Sequence, residues 1–520
     1  MLSTARPRRH AAWPADPTPP PKQRFSAEWL VRGIRRRLEN VWSYLTRGER
    51  TPPAEAAFDW LMRHGGDEGV PPVGGSPYAC PGVTGGAIET AVRVTAPEAA
   101  ARWAKWLLIR QATDGSWPDA SLLSPSLSNT GHAVRGLLAV EPAMPEAKPA
   151  VLAACRYLCS RVDDVGKNLP EPGHAVVSCL PPLLRAGRRF EEVNWEAAAR
   201  RGFARCLPGD GSILAGLPSH VLAWWVETLI DLDYDEAAAN IMRQVANRQR
   251  RDGSVRDAGK VSTEGMAHLA VCWYRLGRRE SADRAMQYLF RRFPRKRETG
   301  WAVKFYLDAA LLEVRAAFDA LSRQPEAPLP EPAADLPDTI DQADGRVQEV
   351  REWCSTLPPD GRVADVGCGK GRFLKHLTAW FPAMEFTAID PSEAMLTQAP
   401  PAAARLRGCL LQLPADDGAF DGAFAVESLE HAVLPRQGVA ELCRVVRPGG
   451  KVLIIDKHRD RQPFSEHEPW ERWFTPEELA AWLGPYCNDV TIEPVSHQEG
   501  LGGNDLFLAA SGTRRAVSPE

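Results

Sequence analysis

From residue 53 to about 320, apolar positions recur at three- and four-residue spacing in one segment after another, with turn signals between. That texture predicts a stack of helices. Three of the turns are alike: QATDGSW (111–117), PGDGSI (208–213) and RQRRDGSV (248–255). Their aspartates are Asp114, Asp210 and Asp252, and a degenerate DDVG at 163–166 fills the wide gap, giving intervals of about 49, 47 and 42 residues. This period fits helical hairpins, each too small to bury its apolar face alone. In such a turn Asp or Ser bonds nearby backbone amides and Gly takes a positive φ. Beyond residue 340 the texture changes. A strand at 362–366, a glycine turn, a helix at 371–380 and a strand ending at Asp390 come first. Strands at 422–428 and 451–456 follow, with a helix near 436–446 between them. This alternation predicts a doubly wound, mainly parallel sheet with its ligand site at the carboxyl ends of the strands.

The stretch 321–340 is Pro-rich and reads as a semi-stiff linker, so the chain divides into a helical-repeat domain at 53–320 and an α/β domain at 341–515. Residues 1–50 hold eleven Arg or Lys against four Asp or Glu, although the net charge of the chain is only -3. Residues 1–25 read as a disordered, basic, Pro-rich arm. Residues 26–52 read as a basic amphipathic helix: Trp29, Ile34, Leu38, Val41, Trp42 and Leu45 share one face and Arg35, Arg36 and Arg37 the other. It docks on the next domain or touches anionic lipid through residues 26–45.

No apolar run approaches the ~20 residues of a membrane helix, and the N-terminus lacks an apolar signal region. The expected location is cytoplasmic, at most peripheral at the inner face of the membrane. Eleven cysteines show no CxxC pairing, and Cys155, Cys159, Cys179 and Cys272 sit in apolar helical surroundings that suit reduced, buried thiols. Neither folded half is notably basic, which argues against a nucleic-acid substrate.

The segment WAKWLLIRQATDGSWPD, followed by NTGHAVRGLLAV (103–140), resembles a repeat of the α/α-toroid proteins, a group that includes terpene cyclases and glycan-processing enzymes. SPYACPGVTGGAIETA (76–91), STEGMAHLAVCWYRLGRRESADRAMQYL (262–289) and GWAVKFYLDAA (300–310) are similar to toroid domains found with surface-polysaccharide genes. The resemblance implies an all-α toroid, and through it a glycan, lipid-linked glycan or sugar-nucleotide ligand. A terpene cyclase of this class needs a DxDD run, which is missing. A glycosidase needs two opposed carboxylates. Glu89, Asp114, Asp119, Glu227 and Asp308 are available, and helix caps and ion pairs are the simpler use for them. Tyr78, Trp117, His132, His220, Trp224 and Trp301 are candidates for an aromatic sugar-binding surface.

The turn GCGKG after the first strand of the second domain is neither the G-x-G-x-x-G of a dinucleotide site nor a P-loop. ADVGCGKG, an acidic residue (Asp390) nineteen positions beyond Gly371, DPSEAML, LQLPADDGAFD and RVVRPGGKVLI stand in order. Together they resemble a class I S-adenosylmethionine-dependent methyltransferase over about residues 345–512. The resemblance implies a Rossmann-like fold and S-adenosylmethionine as cofactor. It also implies cofactor contacts from Asp365, Gly367, Cys368, Gly369, Gly371, Asp390, Pro391, Met395, Cys409, Leu410 and Glu427, with Asp390 on the ribose hydroxyls. One departure stands out: Gly408-Cys409 replaces the family's frequent Gly-Asp beside the adenine.

VESLEHA (426–432) falls where donor and acceptor should meet, making Glu427, Glu430 and His431 the candidate catalytic residues. Glu-x-x-Glu-His resembles a motif of metal-using O-methyltransferases. This implies Glu427, Glu430, His431 and His458 as ligands of a divalent ion (Mg or Mn), with His467 a second choice for the last. An ion on the acceptor oxygen stabilises a developing alkoxide. Without metal, His431 acts as a general base oriented by Glu427 or Glu430, and a purely structural role for Glu430 stays open as well. Phe464, Trp470, Trp473 and Phe474 belong to a segment expected to cover the acceptor. The sequence therefore points to a methyltransferase, O-directed, acting on a small-molecule or glycan acceptor presented by the toroid. A toroid that itself processes glycan or isoprenoid, or that only binds protein, is the alternative.

Overall fold

The computed structural model describes residues 53–516 apart from residue 95 and segments 120–123, 163–175, 207–215, 294–297, 323–337, 462–470 and 497–504. The basic arm, the amphipathic helix, the turns at 163–166 and 208–213, most of the linker, and Phe464, His467 and Trp470 lie outside the described residues.

Among the described residues the first part has twelve helices: α1 (Pro53–His64), α2 (Pro81–Arg93), α3 (Pro97–Arg110), α4 (Leu127–Val140), α5 (Ala147–Val162), α6 (Leu180–Phe190), α7 (Val193–Cys206), α8 (Ser219–Asp231), α9 (Asp235–Arg248), α10 (Thr263–Arg275), α11 (Arg279–Phe290) and α12 (Gly300–Ser322). A short β1 (Trp117–Pro118) pairs antiparallel with β2 (Pro125–Ser126). Each even-numbered helix packs on the next, and α12 packs back on α2. The even-numbered α2, α4, α8 and α10 are buried almost along their length, whereas α3, α9 and α11 bury one stripe against them.

The two described Asp-Gly-Ser turns are the same structure used twice. Asp114 Oδ1 accepts from Ser116 N and Oγ at 2.9 and 2.7 Å, and Asp252 Oδ1 accepts from Ser254 N and Oγ at 3.0 and 2.7 Å. The Gln three residues earlier donates from Nε2 twice: Gln111 to Gly115 O and Ala150 O, Gln249 to Gly253 O and Ser281 O, all at 2.9 Å. One amide thus ties each turn to the next hairpin, which is the physical basis of the repeat. Gly115 (φ 91) and Gly253 (φ 88) take the conformation that side chains resist.

Polar and aromatic side chains fill the middle of this ring in layers. His132, Trp224, His268 and Phe305, each the sixth residue of its helix, stack with centroids 3.6–5.2 Å apart. One helical turn on, Glu89, Arg135, Glu227 and Asp308 form ion pairs. Trp117 is fully buried with Nε1 on Leu107 O, and His132 and Trp224 are buried too. The expected aromatic surface is therefore corrected: of its six residues these three are core, while Tyr78 is 67% exposed.

The second part runs α13 (Gly345–Ser355), β3 (Arg362–Val366), α14 (Leu374–Trp380), β4 (Glu385–Asp390), α15 (Glu393–Leu396), β5 (Ala404–Arg407), β6 (Phe420–Val426), α16 (Pro435–Arg444), β7 (Val446–Lys457), α17 (Pro476–Leu483), β8 (Cys487–Val495) and β9 (Phe507–Arg514). The seven strands lie in the order β5-β4-β3-β6-β7-β9-β8, parallel except that β9 is antiparallel to β7 and β8. Period-two alternation sends Val363, Phe424 and Leu453 into one apolar cluster and Ala364, Ala423 and Ile454 into the other, so both faces are covered. The parallel strands match the expectation; the antiparallel β8 and β9 and the short β5 add to it. The α14 helix starts three residues later than expected because the glycine turn extends further, and β6 ends at Val426 because Glu427 adopts φ 50.

Helical ring and sheet touch at the carboxyl ends of the strands. Val94, just past α2, packs with Leu411 and Leu434, Val433 packs on the ring's core, and Glu55 of α1 pairs with Arg472. Among the described residues no helix is long and apolar enough to cross a membrane, and all eleven cysteines are free.

Candidate functional site

The turn after β3 is a sequence of three left-handed glycines, each used differently. At Gly367 (φ 75) a Cβ would sit 2.3 Å from Ser428 Cβ, and at Gly371 (φ 69) 2.8 Å from Pro400 Cδ, so these two allow close packing. At Gly369 (φ 53) a Cβ would meet nothing within 4 Å. Bare backbone there faces open space, as a backbone cradle for a ligand requires. Gly369 N donates to Asp390 Oδ2 at 2.9 Å, while Ser392 N donates to Asp390 Oδ1 at 2.8 Å. The end of β4 is thereby held against the turn. Burial raises the Asp390 carboxyl above its ordinary value.

Asp365, at 2% exposure, is raised well above the usual carboxylate range by burial and then by Asp390. Its Oδ2 is buried without a hydrogen-bond partner among the described residues. An orphaned acceptor beside an open glycine cradle fits a ligand that brings both a donor and bulk. Met395 is buried on α15, Leu410 is nearly so, and Cys409 and Pro391 are exposed. All these residues lie at the carboxyl ends of β3, β4 and β5, as the sequence motifs require. The residues present fit S-adenosylmethionine.

Across the turn, Glu427 ends β6. Its carboxylate pairs with Arg346 of α13 and lies 3.8 Å from Arg372. Arg346 also binds Asp344 through Nε and one terminal nitrogen at 2.9 and 2.7 Å, and stacks over Phe507. The left-handed φ of Glu427 is a strained conformation for a non-glycine residue, and its charge is felt by Glu430, His431 and Lys457.

The other two residues of the motif sit in a short 3-10 turn, Leu429–His431. Glu430, 1% exposed, accepts from Lys457 Nζ at 2.9 Å and has His431 Nε2 at 3.4 Å. Glu471 completes the group: its Oε2 lies 3.4 Å from Lys457 Nζ and its Oε1 4.0 Å from His431 Nδ1, and Trp473 Nε1 donates to Oε2. Asp456 Oδ2 accepts from Glu430 N at 3.2 Å. Burial lowers His431 to about 4, with Glu471 opposing the shift. The imidazole is neutral at physiological pH. Burial also raises Glu430, Glu471 and, more strongly, Asp456.

The expected metal quartet is not assembled. Glu430 and His431 do meet, within 4.8 Å of a third ligand, but that third is Glu471. Glu427 is held by the two arginines, and His458 Nδ1 accepts from Asp460 N at 3.1 Å. The ammonium of Lys457 bridges Glu430 and Glu471 at 2.9 and 3.4 Å. Glu430, His431 and Glu471 could together offer a cation three ligands, without Glu427 or His458. Neither Lys457 nor Glu471 was singled out in the sequence; the signal available was a Lys at the end of a strand and an acidic residue next to a Trp-rich segment.

Residues 364–454 match the family described as a methyltransferase domain. The C-terminal part of the chain thus carries a match to a methyltransferase domain. Within curated proteins, a demethylmenaquinone methyltransferase of Roseiflexus castenholzii is 32% identical over 118 residues, 22% of this chain and 50% of the relative. An O-methyltransferase of Penicillium expansum is 32% identical over 103 residues, 18% of this chain and 37% of the relative. The chain thus spans half or less of the length of these relatives. A solved Pyrococcus horikoshii protein overlaps 36% of this chain and all of its own at 19% identity and a TM-score of 0.30.

In the helical ring the candidate carboxylates are committed elsewhere. Arg93, Arg135, Lys304 and Arg185 hold Glu89 well below the usual range against the cost of its burial, and Arg135 with His268 does the same for Glu227. Carboxylates kept ionised in this way cannot serve as the proton donor of a glycosidase. Asp114 is a turn residue.

Proposed function

We propose that this chain is an S-adenosylmethionine-dependent methyltransferase, O-directed, that uses His431 as a general base without a metal ion. The cofactor is held by Asp365, Gly367, Cys368, Gly369, Gly371, Asp390, Pro391, Met395, Cys409 and Leu410. When bound it supplies an electrophilic methyl group on a sulfonium. The single observation that carries this reading is the open cradle over Gly369, with Asp390 fixed to it and Asp365 Oδ2 unpartnered beside it.

The chemistry asked of the protein is proton removal and placement. An acceptor hydroxyl delivers its proton to the neutral imidazole of His431, and the imidazolium is stabilised by Glu430 at 3.4 Å and Glu471 at 4.0 Å. Lys457 keeps this carboxylate pair from being an uncompensated buried charge. In-line placement of acceptor and methyl supplies much of the remaining acceleration.

The helical part is, in this reading, an α/α toroid that presents the acceptor, since it meets the sheet at the donor end through Val94, Leu411 and Leu434. The acceptor class is a glycan, a lipid-linked glycan or a sugar nucleotide. The test is transfer of labelled methyl from S-adenosylmethionine into fractionated host lysate, with and without EDTA. Label in the glycan or lipid-linked fraction that survives EDTA supports the reading. Label lost with EDTA removes the metal-free base, and label confined to protein or RNA removes the acceptor class.

A further inference from the structure

Arg93, Arg185 and Arg275 form an arc at one end of the helical ring. Arg93 and Arg275 are the last residues of α2 and α10, and Arg185 belongs to α6. Two carboxylates string them together. Glu89 Oε1 accepts from both Arg93 and Arg185 at 3.0 Å, and Asp231 accepts from Arg185 at 3.0 Å and Arg275 at 2.6 Å. Below them Arg135 approaches Glu89, Glu227 and Asp231 at 2.9–3.6 Å, and Lys304 approaches Glu89 and Asp308 at 3.4 and 2.7 Å.

Among the described residues five cations (Arg93, Arg135, Arg185, Arg275, Lys304) face four carboxylates (Glu89, Glu227, Asp231, Asp308), and burial lowers His268 from its ordinary value. Donors are in surplus as well: the Nε of Arg135, on a side chain 1% exposed, has no hydrogen-bond partner among the described residues. The surplus is open to solvent at the arc alone, where the side chains of Arg93, Arg185 and Arg275 are 44%, 37% and 26% exposed while Arg135 and Lys304 are sealed. A guanidinium has five N–H donors in a planar fork, so terminal nitrogens turned inward leave donors for an anion outside.

The arc also faces the right place. Arg93 precedes Val94, which packs on Leu434, and Leu434 is three residues from His431. Three residues of chain span at most ~10 Å, so the segment beside Arg93 meets the one that carries His431.

We propose that the Arg93–Arg185–Arg275 arc is an anion subsite that holds a phosphate or diphosphate group of the acceptor while its hydroxyl lies at His431. The inference rests on the methyltransferase reading for the second half of that statement only. Bidentate guanidinium–phosphate pairing is the chemistry of such a site.

The test is calorimetric titration of the full chain with inorganic pyrophosphate, uridine diphosphate and farnesyl diphosphate, alongside S-adenosylmethionine, for wild type and Arg185→Gln. Glu89 and Asp231 keep Arg93, Arg135 and Arg275 as partners in that variant, and unchanged S-adenosylmethionine affinity verifies that it is folded. The expected result is phosphate-dependent binding weakened about tenfold or more by Arg185→Gln. Preference for uridine diphosphate identifies a nucleotide source and preference for farnesyl diphosphate a lipid one. Absence of binding by all three, or equal binding in the variant, overturns the proposal and leaves the arc as a structural ion network. Arg185-dependent phosphate binding with no S-adenosylmethionine binding would instead retain the subsite and remove the methyltransferase reading.

Discussion

Lys457 Nζ stands 2.9 Å from Glu430 Oε1 and 3.4 Å from Glu471 Oε2, an ammonium in the position from which a divalent ion would bridge the same two carboxylates. The relationship separates two chemistries that a Glu-x-x-Glu-His motif cannot separate. Burial opposes the charge on Lys457, but Glu430 and Glu471 outweigh it and raise the amine above its ordinary value.

Lys457→Met should lower stability by about 3–5 kcal/mol, because it leaves buried acids unneutralised. The variant should also bind Mn²⁺ through Glu430, His431 and Glu471, whereas the native chain does not. Urea unfolding and Mn²⁺ electron paramagnetic resonance check the two parts. Equal Mn²⁺ binding in both proteins would restore the metal mechanism.

His431→Ala should reduce methyl transfer by about 10²–10⁴-fold, the usual contribution of a general base, with cofactor affinity unchanged. Glu471→Gln should reduce turnover less and shift the pH profile of kcat/KM, since it alters the partner of the imidazole rather than the imidazole. Glu427→Gln acts through Arg346 and Arg372 and also removes a charge felt by His431. Transfer and binding assays that found His431→Ala fully active would remove the base.

Asp390→Ala should weaken cofactor binding by at least about 100-fold, since it removes the proposed ribose contact and also releases Gly369 N and Ser392 N. Calorimetry with S-adenosylmethionine measures this directly; an unaltered affinity would refute the ribose assignment.

The lowered His431 makes stability depend on pH with a definite sign. Between about 4 and its ordinary 6.5 the unfolded chain binds the proton that the folded chain does not, so stability from this group falls as pH drops through that window. The loss should reach about 3 kcal/mol. Urea midpoints at pH 5 and 7 should converge in His431→Gln relative to the native chain.

Gly253→Ala should cost about 2–4 kcal/mol, because φ is 88 and the added Cβ would lie 1.9 Å from Arg284 O. Gly259→Ala, at φ 87 with nothing within 4 Å, should cost only about 1–2 kcal/mol for the backbone conformation. Thermal unfolding of the pair separates close packing from strain.

Much of this protein was determined by sequence alone, where chemistry is local. The Gln-x-x-Asp-Gly-Ser turns follow from short-range hydrogen bonds and a positive φ, and the strand-glycine-helix unit with Asp390 follows from period-two alternation and backbone clearance. Both are set within a few residues, so spacing reveals them. What only the tertiary structure decided depends on partners far apart in the chain. Glu427 and Glu430 are three residues apart, yet a left-handed φ at Glu427 commits one to Arg346 and leaves the other to Lys457 and Glu471. Trp117, His132 and Trp224 look like a binding surface in one dimension and are core in three: Trp117 of β1 packs against α3, and His132 and Trp224 of α4 and α8 meet each other. The ion pairs of Arg135 with Glu89, Glu227 and Asp231 exist only once three helices, α2, α4 and α8, close on one another, since electrostatics acts through space and not along the chain.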